Sequence, residues 1–73
     1  MTELTFNKRI GKNIRKYRTQ ETNLRQEDLA KRIGVSRSTI AALESNNINK
    51  GVSTYLLYKI SKVLNKEIDD FFI

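Results

Sequence analysis

The chain has no cysteine and no histidine among its 73 residues. Disulfide bonds, thiolate metal sites and a histidine-based zinc cluster are therefore excluded. A chain of this length is near the lower limit for a single hydrophobic core, so its stability must come from helix packing without such cross-links. We expect a single domain over residues 1–73, with no bound metal and no cofactor.

Long apolar runs are missing as well. No stretch approaches the length needed to span a bilayer, and the first residues lack the basic segment and apolar run of a signal peptide. The lack of cysteine gives no sign of an oxidising compartment. These observations favour a cytoplasmic protein without a membrane partner.

The residue types on which most enzymes rely are scarce. Without histidine or cysteine, the commonest general base and a common nucleophile are absent. The sequence also shows no paired carboxylates, no glycine-rich phosphate loop and no serine with a nearby base. We therefore expect no catalytic residues and no enzymatic activity.

Negative charge is in short supply, with 14 Lys and Arg against 8 Asp and Glu and a net charge of +6. Much of the excess lies between Lys8 and Arg25, where Glu21 is the only acid. This balance favours a polyanionic partner, and nucleic acid first. On charge alone, a solvated helix face explains the run equally well. A membrane surface explains it less well, because the cations interleave with the apolar stripe of the same helix.

The spacing of apolar residues predicts five helices. Gly34 is suited to end the second helix, because glycine adopts the left-handed conformation without a steric penalty. Ser36 and Ser53 are suited to cap the third and fourth helices. The expected helices run, in chain order, from 6 to between 18 and 21, from 26 to 33, from 37 to 44 or 45, from 53 to 64, and from 68 to 73.

The strongest pattern is the run from Gln26 to Ser45. It combines apolar anchors on two short helices with a small residue where the helices cross and a glycine where the chain reverses. An ordinary helical hairpin with no role in DNA binding is the alternative at this stage. The positions that carry the pattern are Leu29, Ala30, Ile33, Gly34, Val35, Ile40 and Leu43.

Residues 10–72 resemble the helix-turn-helix family of phage repressors, Cro proteins and Xre-type bacterial regulators. Ile14, Tyr17 and Arg18 match the family's first-helix core and arginine, and Gln26 matches the glutamine that opens its second helix. The resemblance implies an all-α, compact five-helix, lambda-repressor-like fold with a helix-turn-helix at about 26–45. Helix 3, at about 37–45, would lie in the major groove of double-stranded DNA.

The function implied by this resemblance is sequence-specific transcriptional regulation. We expect a repressor that acts as a homodimer on a palindromic operator. Arg25 stands where the family often has a Ser, Thr or Asn cap, so we expect helix 2 to lack a side-chain acceptor there.

The resemblance assigns base reading to Arg37, Ser38 and Ala42. Arg37 can bind guanine O6 and N7 together, Ser38 can donate or accept, and Ala42 can contact a thymine methyl group. Capping by Ser38 and helix propensity at Ala42 are the alternatives. Gln26 would also brace the start of helix 3. Phosphate contacts are implied for Gln26, Thr39, Asn46, Asn47, Asn49 and Lys50.

Arg18 and Glu44 match a structural ion pair of the family, between an arginine late in helix 1 and a glutamate late in helix 3. Such a pair would fix the presentation of helix 3. The alternative is that Arg18 is one more phosphate-binding cation. We prefer the ion pair, because Glu44 is the only acid between Asp28 and Glu67 and would otherwise stand unpaired near DNA.

The C-terminal third has more apolar residues than a small domain is expected to bury. We expect the surplus to form the homodimer interface through helices 4 and 5. The alternative is that Phe71 and Phe72 fold back onto their own core. The residues of the expected interface are Leu56, Tyr58, Ile68, Phe71, Phe72 and Ile73.

Another class of function competes with the regulator. Small proteins of this family also act as antitoxins, so Phe71, Phe72 and Ile73 would suit a toxin, and an antirepressor is a further possible protein partner. RNA binding is weaker, because the outward face of helix 3 lacks the stacking aromatics of RNA-binding modules.

Overall fold

The computed structural model describes residues 2–45 and 53–73, except the side chains of residues 3 and 4. The described residues form four α-helices and one short 3-10 helix, which confirms the expected all-helical class. No described helix is long and apolar enough to cross a membrane. The elements are α1 (Glu3–Glu21), α2 (Gln26–Ile33), α3 (Arg37–Glu44), α4 (Thr54–Leu64) and the 3-10 helix (Ile68–Phe71).

The expected fifth α-helix is wrong, because the segment forms a single 3-10 turn. Side chains of α1 bind carbonyl oxygens at the end of this segment, which no later amide of the segment satisfies. Asn13 Nδ2 donates to the carbonyl oxygens of Phe71 and Ile73, at 2.8 Å each. The Tyr17 hydroxyl donates to the carbonyl oxygen of Asp70 at 2.7 Å. The C-terminal turn is therefore held in place by α1.

Helix α1 begins at Glu3, earlier than the expected start at Phe6. The Thr2 hydroxyl accepts a hydrogen bond from the Thr5 amide at 3.1 Å, and this bond caps the helix before its apolar stripe begins. The apolar residues Phe6, Ile10, Ile14 and Tyr17 predicted the buried face of α1 correctly, but their spacing could not show that Thr2 caps the helix.

Helix α2 has no side-chain acceptor at its N-cap Arg25, as expected. Instead, the Asp28 carboxylate accepts a hydrogen bond from the Arg25 amide at 2.9 Å, and this bond lowers the pKa of Asp28. Gly34 ends the helix in the left-handed conformation, with φ of 77°. The Ser36 hydroxyl then accepts from the Thr39 amide at 3.2 Å and caps α3. These local bonds define the turn between the two helices.

One hydrophobic core joins the four α-helices and the 3-10 helix. Each element contributes at least one buried apolar side chain, which is how a chain without cross-links holds its helices together. The buried core residues are Ile10, Ile14, Tyr17, Leu29, Ala30, Ile33, Ile40, Leu43, Leu57, Ile60, Leu64 and Phe71.

The prediction that Phe71 belongs to a dimer interface is wrong, because its side chain is fully buried in its own core. Its ring lies edge-on to the ring of Tyr17, with centroids 5.3 Å apart. Phe72 is half-buried and packs on Phe6, with centroids 5.2 Å apart. The alternative reading, in which these two rings cap their own core, describes the observed packing.

The other residues of the expected interface differ in exposure. Leu56 and Ile68 are half-buried against the core, whereas Tyr58 and Ile73 remain 48% and 78% exposed. The apolar surplus on the described surface is thus smaller than the sequence suggested.

Helices α1 and α3 approach each other very closely at Gly11. A Cβ atom at this position would overlap the carbonyl oxygen of Leu43 and would lie 3.7 Å from the Cα of Glu44. Both of those atoms are backbone, so a rotamer change would not relieve the overlap. The contact therefore requires glycine, although the position lies inside a helix.

We expect Gly11→Ala to destabilise the protein by about 3 kcal/mol, because α1 and α3 must separate to admit the methyl group. Urea denaturation followed by circular dichroism measures this change. Gly34→Ala is the matched control: nothing lies within 4 Å of its Cβ position, so its positive φ is the source of strain, at about 1–2 kcal/mol. Helix propensity alone would make Gly11→Ala stabilising by roughly 0.5–1 kcal/mol. A variant more stable than wild type would contradict the close contact.

Candidate nucleic-acid interface

Helix α3 has one face in the core and one face in solvent. Ile40 and Leu43 are buried against the rest of the domain, whereas Arg37, Ser38 and Ala42 are exposed. No carboxylate of the described residues lies within salt-bridge distance of Arg37. The three expected base-reading positions are therefore all accessible to solvent, with a guanidinium group at the start of the helix.

The hydroxyl groups of the first turn of α3 already have partners. The Ser38 hydroxyl lies 3.0 Å from that of Ser36, and the Thr39 hydroxyl lies 2.9 Å from it. The cap itself is the Ser36 hydroxyl, and the Ser38 and Thr39 hydroxyls bond to it. A hydroxyl has one donor and two acceptor positions, so each can still form a second hydrogen bond with DNA.

A buried ion pair connects α1 with the last residue of α3. Arg18 Nε donates to Glu44 Oε2 at 2.7 Å and Arg18 Nη2 donates to Glu44 Oε1 at 2.8 Å. The two side chains are only 9% and 2% exposed. Hydrogen bonding to Glu44 raises the pKa of Arg18 despite the opposing effect of burial. Arg18 Nη1 also donates to the carbonyl oxygen of Leu24 at 3.1 Å, so the guanidinium group is well anchored.

Gln26 adds a third helix to this ion pair. Its Nε2 donates to Glu44 Oε1 at 3.0 Å, so α1, α2 and α3 meet at one carboxylate. The expected brace at the start of α3 is wrong, because the start of α2 lies beside the end of α3. The contact with Glu44 was missed, since sequence spacing does not show which helix ends are neighbours.

The remaining expected phosphate contacts fall on residues outside those that the structure describes. They are Asn46, Asn47, Asn49 and Lys50. Within residues 2–45 and 53–73, no group of three acidic side chains is placed to hold a metal ion.

Two short helices joined by a glycine turn, with an exposed arginine at the start of the second, have the form of a helix-turn-helix, a class of DNA-binding module. The family model described as "Helix-turn-helix" matches residues 14–71. The chain belongs to this family.

Relatives in two archaea are similar over most of the chain, and both are named only as uncharacterised HTH-type transcriptional regulators. The relative in Archaeoglobus fulgidus is 49% identical over 51 residues, which cover 70% of this chain and 69% of that protein. The relative in Methanocaldococcus jannaschii is 45% identical over 62 residues, which cover 85% of this chain and 91% of that protein.

A solved structure is similar over the whole fold. The crystal structure of the restriction-modification controller protein C.AhdI from Aeromonas hydrophila superposes with a TM-score of 0.83 at 28% sequence identity. The match covers 99% of this chain and 100% of that one. The family and these relatives make this chain a DNA-binding transcriptional regulator and not an enzyme.

We expect Arg18→Ala to destabilise the protein by about 3–5 kcal/mol, because it leaves the Glu44 carboxylate buried without its main partner. Arg15→Ala is the matched control, since Arg15 is an exposed arginine on the same helix and its loss should change stability by about 0.5 kcal/mol or less. Urea denaturation of both variants at neutral pH makes the comparison. Equal midpoints would mean that the ion pair does not hold α3 to α1.

Proposed function

We propose that this protein binds double-stranded DNA sequence-specifically by placing α3 in the major groove. The observation that carries the proposal is the exposure of Arg37, Ser38 and Ala42 on a helix whose last residue, Glu44, is bound by α1 and α2. Arginine at the exposed start of such a helix can bind guanine through two parallel hydrogen bonds. The small Ala42 allows close approach to the base pairs.

We infer that the regulator represses transcription. A protein bound in the major groove excludes other proteins from the same DNA, and this exclusion needs no surface beyond the DNA-binding face. Activation would need a further contact with the transcription machinery in addition to the contact with DNA.

We further propose that two copies bind together as a homodimer through α4 and the 3-10 helix. A cleft of about 190 Å³ lies between these elements. It combines Tyr58 and Ile68 with the cation Lys62 and the acids Glu67 and Asp69. A two-fold interface pairs the same surface of two copies. A surface that carries both cations and acids can therefore pair opposite charges with its second copy. Two recognition helices would then face half-sites about 34–36 Å apart on a palindromic operator.

The alternative of a toxin-binding module depended on Phe71, Phe72 and Ile73, and of these only Ile73 is largely exposed. Phe71 is fully buried and Phe72 packs on Phe6, so they offer little surface to a partner enzyme. No other described feature favours that function over DNA binding.

We expect Arg37→Ala to weaken binding to the preferred duplex by about 1–3 kcal/mol and to relax the preference at one base pair per half-site. Selection of bound duplexes from a random pool identifies the site, and titration of that site and of single-base variants measures both effects. Arg32→Ala is the matched control, because it removes an exposed arginine from the last turn of α2. An equal loss on all sequences would mean that Arg37 contacts phosphate and reads no base.

We expect Tyr58→Glu to raise the dimer dissociation constant at least about tenfold, because it replaces an aromatic side chain of the proposed interface with a charge that must lose water on association. Sedimentation measures assembly, and circular dichroism checks that the exposed substitution leaves the helices intact. Tyr55→Glu is the matched control, since Tyr55 is exposed on α4 but does not line the cleft. A dimer unaffected by the change at Tyr58 would place the interface elsewhere.

A further inference from the structure

The outer face of α1 is a continuous band of positive charge. At 3.6 residues per turn, its five cations fall within about 120° of the helix circumference, on the side opposite the buried stripe. All five side chains are exposed, as expected for positions that face away from the core. We call this band the α1 basic face, and its residues are Lys8, Arg9, Lys12, Arg15 and Lys16.

Nothing in the described part of the protein neutralises this face. None of its five cations lies within salt-bridge distance of a described carboxylate, and Glu21 at the end of α1 pairs with Lys66 at 2.7 Å. Like charges four residues apart, such as Lys8 with Lys12, weaken a helix. The arrangement therefore opposes helix formation. Among the described residues its one compensating contact is that of Lys16, whose Nζ lies 5.9 Å from the centroid of the Tyr17 ring. This contact leaves the charge unpaired, which indicates an external anionic partner.

The chemistry of the face favours a phosphate backbone over a protein. Two shallow grooves of about 740 and 300 Å³ lie on it, and both are lined by Arg9 and Lys12. The other side chains along them are cationic, hydroxyl or amide groups, except Ile73 at one edge. Protein interfaces need an apolar centre, whereas DNA phosphates are bound by Lys, Arg, Thr and Gln side chains. The face fits the backbone of nucleic acid.

The α1 basic face begins beside α3 and then turns away from it. Gly11 and Arg18 mark the side of α1 that contacts α3. Arg15 lies about 40° around the helix from Gly11, and the centre of the basic face lies about 100° around. A straight duplex in contact with α3 would meet the edge of the face, and DNA that bends toward the protein would meet the rest.

We propose that the α1 basic face binds the phosphates of DNA that flanks the duplex read by α3, and that the flanking DNA bends toward α1. This proposal rests on the proposed function and deepens it, because the same DNA molecule occupies both surfaces. The flank contacts carry no base information, so they add affinity and curvature without adding sequence preference.

The test compares two duplexes that carry the selected operator. The short duplex ends at the operator, and the long duplex extends it on each side by about two helical turns of unrelated sequence. Wild-type protein should bind the long duplex more tightly, with a salt dependence steeper by about 0.9 for each additional phosphate contact. With two such contacts, the ratio of the affinity for the long duplex to that for the short duplex should fall by on the order of tenfold between 50 and 200 mM salt. Fluorescent labels at the two ends of the long duplex should move closer on binding.

The variant R9Q/K12Q removes the two cations shared by both grooves. It should bind the short duplex as wild type does and should lose the gain in affinity, the steeper salt dependence and the approach of the two ends. The matched control K31Q/R32Q removes the same charge from the exposed end of α2 and should keep all three effects. Thermal melting checks that both variants remain folded.

Several results would overturn the proposal. Equal affinity of the wild type for both duplexes would show that flanking DNA is not bound. If R9Q/K12Q lost as much affinity for the short duplex as for the long one, the α1 basic face would contact the operator itself. Fluorescence energy transfer between two separately labelled duplexes, in the absence of transfer between the two ends of one duplex, would mean that the α1 basic face binds a second DNA molecule. Failure of the wild type to bind the short duplex would reject the proposed function itself, and this inference with it.

Discussion

The orientation of α3 depends on the buried carboxylate of Glu44. A charged group that is almost fully removed from water is strongly destabilising unless hydrogen bonds replace its hydration. Arg18 and Gln26 supply three such bonds, and they come from two different helices. The helix that would enter the groove is therefore fixed at its last residue by both of its neighbours. This fixation keeps its exposed face in one orientation before DNA arrives, which lowers the ordering cost of binding.

The close approach at Gly11 makes this ion pair possible. Gly11 and Arg18 are seven residues apart, about two helical turns, so both lie on the side of α1 that contacts α3. Without a side chain at Gly11, the α1 backbone can rest on the carbonyl of Leu43, next to Glu44 in the chain. A wider separation would lengthen the 2.7 Å contact between Arg18 and Glu44 and would admit water to it. One glycine inside a helix thus has a direct electrostatic consequence.

Local signals in the sequence were enough to predict the turn of the helix-turn-helix. The left-handed Gly34 and the capping hydroxyl of Ser36 depend on neighbours within a few residues, and the resemblance to known regulators supplied the pairing of Arg18 with Glu44. The C-terminal turn could not be predicted in this way. Its form is set by Asn13, which lies 58 residues from Phe71 in the chain. Apolar periodicity also cannot distinguish a ring that fills the core from a ring that faces a partner, so Phe71 was misplaced.

The distribution of ion pairs explains how a modest net charge can become a strong local field. Four acidic side chains lie within 4 Å of a cation. The pairs are Glu21 with Lys66, Glu27 with Lys31, Asp28 with Arg25, and Glu44 with Arg18. The exposed pairs contribute little to stability, because water and salt screen them. Their electrostatic effect is to mask acids that would repel phosphate, while the cations on the outside of α1 and at Arg37 stay unmasked. The attraction for DNA therefore comes from where charge is left unpaired, and it weakens with salt independently of the base contacts that Arg37 would make.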